Sequence, residues 1–169
     1  MLYNTESILI KNIKLKSIIK NIKYVDKLIV FSEIPNEITL ALNISNCPIH
    51  CEGCHSKYLW EDIGTELTSE VLEDLIDKHD GITCVCFMGG DNNTEEILRL
   101  SKIVKARGLK TAWYSGRYNL VEGFNYIKVG PYVKELGPLT ASGTNQLLFK
   151  CDEDALKIYD YQKQKFIEL

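Results

Sequence analysis

Short β-branched and apolar runs alternate with stretches of helical period through most of the chain. Leu28–Phe31, a turn at Pro35-Asn36, and Ile38–Ile44 read as strand, turn and strand. Thr68 is placed to cap a helix whose Val71, Leu72, Leu75 and Ile76 fall on one face, with Glu70 in the first turn where negative charge suits the helix dipole. Asp80-Gly81 closes that helix. Ile82–Met88 shows no alternation, the pattern of a strand buried on both faces. Asn93-Thr94-Glu95-Glu96 is an N-x-x-E capping pattern that opens a second helix through Ile97, Leu98, Leu100, Ile103 and Val104, and Gly108 stops it. Leu109–Tyr114, Tyr126–Val129 and Gln146–Phe149 read as further strands.

This alternation of strand and helix predicts an α/β fold, a parallel sheet with right-handed crossovers and outer helices. Residues 47–54, Gly89-Gly90-Asp91 and Ser115-Gly116 then fall at carboxyl ends of strands, on one sheet edge, where such folds build ligand sites. Ile8–Ile22 mixes Ile and Leu with lysines and fits neither period; it reads as a solvated N-terminal arm, with a docking element as the alternative. The expected organisation is an extension over 1–23, one domain over 24–150, and a C-terminal tail over 151–169.

Composition narrows the function classes. Apolar residues make up 45% of the 169 positions and charged residues 25%, which is ordinary globular usage. A net charge of −3 gives no electrostatic reason to expect nucleic acid or an anionic membrane as partner. No apolar run approaches the roughly 20 residues that span a bilayer, and Met1–Glu6 lacks the pattern of a secretion signal, so a cytoplasmic location is expected. Six cysteines in that setting point to metal, redox or buried free thiols rather than a disulfide scaffold.

Three of them, Cys47, Cys51 and Cys54, form a C-x3-C-x2-C loop directly after the strand ending at Ile44. Such a loop suits part of a zinc site, a cluster of core thiols, or an iron–sulfur centre. Zinc would need His50, His55 or a distant cysteine as fourth ligand. A cubane on three thiolates keeps one iron open for an exchangeable ligand, whereas four thiolates make an electron carrier. Cys84 and Cys86 share one face of a strand and, with Cys151, read as buried thiols rather than a second cluster. The glycines of Gly89-Gly90-Asp91 allow close backbone approach to a ligand, and a carboxylate with strand-end carbonyls can accept from an ammonium group; a plain strand-to-helix turn is the alternative.

With these motifs in order, the chain resembles the radical S-adenosylmethionine enzymes. Within them, Cys47–Trp60, Met88–Asp91, Trp113–Gly116, Val129–Tyr132 and Thr144-Asn145-Gln146 resemble the anaerobic ribonucleoside-triphosphate reductase activating proteins, over about Tyr24–Phe149. The resemblance implies a compact, incomplete (β/α) barrel. It implies one 4Fe-4S cluster on Cys47, Cys51 and Cys54, whose fourth iron takes the amino and carboxylate groups of S-adenosylmethionine. Reductive cleavage would give methionine and a 5′-deoxyadenosyl radical, which abstracts hydrogen from a glycine of a class III reductase. No catalytic side chain is implied beyond cluster and cofactor. Cofactor contacts would come from backbone around Gly53, Cys54 and His55, from Gly89, Gly90 and Asp91, and from Ser115. The wider superfamily more often has Glu at the position of Asp91 and an aromatic residue at that of Gly53. Implied partners are the glycyl-radical subunit of the reductase and a small reductant such as flavodoxin or ferredoxin, with no nucleic acid and no membrane. The alternatives are an activase of another glycyl-radical enzyme, a small-molecule enzyme similar to deazapurine synthases, or a non-catalytic iron–sulfur or zinc protein.

Overall fold

The strands are β1 (Lys23–Val30), β2 (Thr39–Ile44), β3 (Thr65–Glu66), β4 (Cys84–Met88), β5 (Lys110–Tyr114), β6 (Tyr126–Val129), β7 (Leu147–Cys151), β8 (Leu156–Asp160) and β9 (Lys165–Glu168). Two α-helices, α1 (Ser69–Asp77) and α2 (Thr94–Ala106), and two short 3-10 turns, Lys57–Trp60 and Lys134–Leu136, complete the regular structure among the described residues. This computed structural model describes residues 21–152 and 155–169; residues 1–20, which hold most of the expected N-terminal arm, lie outside them.

These nine strands join one sheet in the order β3-β1-β2-β4-β5-β6-β7-β8-β9. Its centre is parallel, with β2 against β4, β4 against β5 and β5 against β6. Every other pairing among them is antiparallel.

The helices form where local chemistry favours them. Thr68 Oγ1 accepts from the Val71 amide at 3.3 Å, and Asn93 Oδ1 accepts from the Glu96 amide at 3.2 Å, so both expected caps are made. Glu96 also anchors the start of α2. Its buried carboxylate takes two bonds of 2.7 Å from Arg99, which also donates to Ser69 Oγ at 2.7 Å and ties α2 to the start of α1.

The expected (β/α) barrel, a parallel sheet with outer helices, is overturned by this sheet. It is mixed and mostly strand, and the helices lie on one face only. Leu72, Leu75 and Ile76 of α1 and Ile97, Leu100 and Val104 of α2 share a core with Leu40, Leu42, Ile44, Val85, Phe87, Trp113 and Ile127. The other face carries Cys84, Cys86, Ala112, Tyr126 and Leu148, covered by Ile34 and by Tyr159, Tyr161 and Phe166 at the far end of the curled sheet.

The reason lies in the sequence after β5. Residues 116–125 contain no apolar helical period and cross to β6 as a bare loop, and Gly130-Pro131 and Gly137-Pro138 interrupt any helix after β6. The chain therefore returns antiparallel. The stretch expected as a C-terminal tail adds the hairpin β8–β9, whose turn is fixed by the amides of Gln162 and Lys163 donating to Asp160 Oδ1 at 2.9 and 3.0 Å. Among the described residues no helix is long and apolar enough to cross a membrane.

Candidate metal centre

Parallel strands point their carboxyl ends the same way, so the segments after β2, β4, β5 and β6 share one edge of the sheet. The segment after β2 is the cysteine loop. It leaves the sheet along 59–63, with the Asn46 amide donating to Glu61 O and the Cys47 amide to Leu59 O, both at 2.9 Å. Ser45, buried, adds a 2.6 Å bond from its hydroxyl to Ile63 O. The loop then turns tightly. His50 adopts φ 50° and Gly53 φ 76°, and the Cys54 amide closes on Cys51 O at 3.1 Å. His50 is held there by its ring, stacked on Trp60 with centroids 4.6 Å apart.

All three loop thiols are unpaired and partly exposed. The Ser56 amide donates to Cys54 Sγ at 3.4 Å, and the amides of Ile49 and His50 lie near the Cys47 sulfur. Burial pushes the Cys47 thiol up; the two amides oppose that, and the negative charges of Asp91 and Cys51 add to it.

The segment after β4 places Gly89 at φ 99° and Gly90 at φ 89°. A Cβ at Gly90 would stand 2.6 Å from the Ile97 side chain, so α2 packs directly on this turn. Each acceptor expected here has an internal donor. The Gly89 carbonyl accepts from Trp113 Nε1 at 2.8 Å and the Gly90 carbonyl from the Asn93 amide at 3.0 Å. Asp91 Oδ1 accepts from Ser115 Oγ at 2.5 Å and Oδ2 from the Gly116 amide at 3.1 Å. A carbonyl keeps a second lone pair and a carboxylate further acceptor sites, so capacity for a ligand remains. Ser115 is buried, and its hydroxyl also accepts from the Arg117 amide at 3.0 Å. The structure thus brings Asp91 and Ser115 into direct contact. The remaining residues expected to meet a cofactor lie on the far side of the cysteine loop. Gly53 packs toward Tyr132 and Lys134, and the His55 ring lies 5.7 Å from that of Tyr132.

The donor set suits an iron–sulfur cluster. It consists of soft thiols, free of disulfides, with an amide hydrogen bond to the Cys54 sulfur. For a single metal ion it suits less well. Among the described residues no three His, Cys, Asp or Glu side chains are grouped as they would be around one ion. A cubane offers its irons at separate corners and does not require donors to converge on one point.

A family described as the 4Fe-4S single cluster domain matches residues 38–135. The chain belongs to that family. No curated protein and no solved structure matches it. The region that defines this single-cluster domain starts beside β2 and ends in the turn at Lys134–Leu136, so it holds the cysteine loop, both helices and the whole parallel centre.

One residue of the single-cluster domain is not singled out by the sequence patterns. Lys128, 9% exposed, lies within the otherwise apolar β6, and its ammonium group donates to Gly130 O at 2.7 Å and Ser115 O at 3.3 Å. Burial pushes its pKa down to about 8, against the pull of Cys51, Asp91 and Cys47. The available signal is a lysine inside the short run Tyr126-Ile127-Lys128-Val129: a cation in a core strand needs partners, and these are the strand-end carbonyls beside the thiols.

Proposed function

We propose that this iron–sulfur protein reductively cleaves S-adenosylmethionine and uses the resulting radical to activate an anaerobic, class III ribonucleoside-triphosphate reductase. The observation that carries the reading is the supply of three thiols, not four, on a loop flanked by glycine-rich and polar strand-end segments. Cys47, Cys51 and Cys54 would hold the cluster. When bound, a 4Fe-4S cluster on three thiolates supplies a one-electron reductant and one iron open to a chelating ligand.

The chain's own residues would do the rest. The bare faces of Gly89 and Gly90 are filled by Ile44 and Ile97, so this turn would meet the cofactor through its carbonyls, whose second lone pairs can accept from an ammonium group. Lys128 places a cation beside the thiols, where it offsets the charge of a thiolate-bound centre. Backbone at Gly53–His55, and Ser115, would fix the nucleoside end. Tyr118, exposed at the same edge, would offer a contact to a loop of a protein substrate.

Anaerobic reconstitution with iron and sulfide tests this in two stages. Reduced protein should convert S-adenosylmethionine to methionine and 5′-deoxyadenosine; an intact, reducible cluster that leaves the cofactor uncleaved would sink the enzyme reading in favour of a plain electron carrier. Incubation with the glycyl-radical subunit of a class III reductase should then give an electron paramagnetic resonance doublet. Cleavage without that doublet would redirect the reading to a different radical acceptor.

A further inference from the structure

The carboxylate of Asp91 is committed inside the protein: the residue is 5% exposed, and Ser115 Oγ and the Gly116 amide donate to its two oxygens at 2.5 and 3.1 Å. The receiving loop is fixed from its other side as well. The Ser115 amide donates to Lys128 O at 2.8 Å, and the Gly130 amide to Arg117 O at 2.7 Å. Arg117 adds a bond of 3.3 Å to the Asp91 carbonyl. Gly116 is therefore held at a set place on the sheet edge.

That place abuts the cysteine loop. A Cβ on Gly116 would stand 2.6 Å from Ile49 Cγ1, 3.0 Å from Cγ2 and 3.2 Å from Cβ. Gly116 is not among the glycines with positive φ, so glycine is needed there for space and not for backbone freedom. Ile49 sits between Cys47 and Cys51, and as a β-branched residue it cannot swing its Cγ atoms aside without moving its backbone.

We propose that Asp91 is a positioning residue: its carboxylate pins Ser115-Gly116, and the bare face of Gly116 seats Ile49, so the Cys47–Cys51 segment takes its position from strand β4 through this chain of contacts. The role is additional to any contact between this turn and a cofactor. It rests on the cysteine loop holding the cluster and is independent of what the cluster is used for.

The test uses full-length protein reconstituted anaerobically, with iron loss to a ferrous chelator and the paramagnetic signal of the reduced cluster as readouts, and the melting of apoprotein as a control for folding. Variants are Gly116→Ala, Ile49→Ala, the double variant, and Asp91→Asn. Asparagine with its oxygen on the Gly116 amide turns its NH2 toward Ser115 Oγ, whose hydroxyl must then accept instead of donate, so the charge-assisted bond from Ser115 is replaced by a weaker neutral one. Supporting residues around metal ligands are worth 10–100-fold in metal affinity, so Gly116→Ala should lose iron about tenfold faster. Adding Ile49→Ala should return most of that loss, because only the contact with the residue 49 Cβ remains. Asp91→Asn should also speed iron loss and alter the cluster signal, and combined with Gly116→Ala it should add little. Wild-type iron retention in both Gly116→Ala and Asp91→Asn overturns the proposal, as does a Gly116→Ala defect that Ile49→Ala leaves unchanged. A wild-type protein that holds its cluster but does not cleave S-adenosylmethionine defeats the proposed function and leaves these comparisons intact.

Discussion

The indole N–H of Trp113 donates to the Gly89 carbonyl at 2.8 Å, so the largest fully buried side chain of the core is tied to the turn at the edge of the site. Trp113→Phe removes that bond and part of the packing. It should destabilise the protein by about 2 kcal/mol, from a lost buried hydrogen bond and a partly filled cavity. Denaturant melts of apoprotein measure this, and an unchanged midpoint would show that the bond carries no stability.

Glu37 gives the protein an acid limb. Its buried carboxylate accepts from Thr83 Oγ1 at 2.6 Å and Tyr126 OH at 2.7 Å, and from Lys110 Nζ. Burial raises its pKa, but the bonds from Lys110, Thr83 and Tyr126 outweigh this and hold it below the ordinary 4.5. A depressed native value means the contribution is fully present above the unfolded pKa and is lost as pH falls through the native one. Glu37→Gln should therefore cost about 2 kcal/mol at neutral pH, the scale of hydrogen bonds to a charged group. The gap between variant and wild type should close in acid below pH 4.5, and a gap independent of pH would contradict this assignment.

The six thiols divide sharply. Cys84 and Cys86 are fully buried; burial pushes Cys84 up to about 12 and Cys86 well above its usual range. The thiolate is the reactive form. Alkylation of folded apoprotein should stop at the four partly exposed cysteines, Cys47, Cys51, Cys54 and Cys151, and reach the other two only on unfolding. Intact-mass spectrometry counts the adducts.

Replacing Cys84, Cys86 and Cys151 together should leave about four irons per chain, as a three-thiolate cubane requires. Loss of any one of Cys47, Cys51 or Cys54 should remove most of the iron. A wild type with twice that content, halved in the triple variant, would establish a second cluster.

Lys128→Met keeps length and removes charge. With no cation beside Cys47 and Cys51 the oxidised cluster is relatively favoured, so the reduction potential should fall, as read from a redox titration of the paramagnetic signal. An unchanged or raised potential would place the ammonium group outside the cluster's field.

Features set by neighbours along the chain are legible in the amino-acid sequence alone. The caps at Thr68 and Asn93, the strand ending at Ile44 and the common edge of the cysteine, Gly89–Asp91 and Ser115 segments follow from local chemistry and strand direction. The barrel does not follow. Strand–helix alternation holds only as far as β5, and the hairpin β8–β9 consists of two short strands whose partners are set by pairing rather than by composition. Lys128 and the contact of Ile49 with the Gly116 position depend on segments distant in sequence, and no local pattern encodes them.

The helices' confinement to one face gives the two sides of the sheet different failure modes. Behind β2, β4, β5 and β6 the helices and strands meet through Leu, Ile, Val, Phe and Trp, where fit is a matter of volume. In front, Ile34, Cys86, Ala112 and Leu148 pack beside polar side chains that each have a set partner: Tyr126 donates to Glu37, Tyr114 to the Glu33 carbonyl and Lys128 to the Gly130 carbonyl. A substitution behind the sheet is tolerated when it conserves size. One at these polar front positions is tolerated only when it conserves hydrogen-bonding capacity as well.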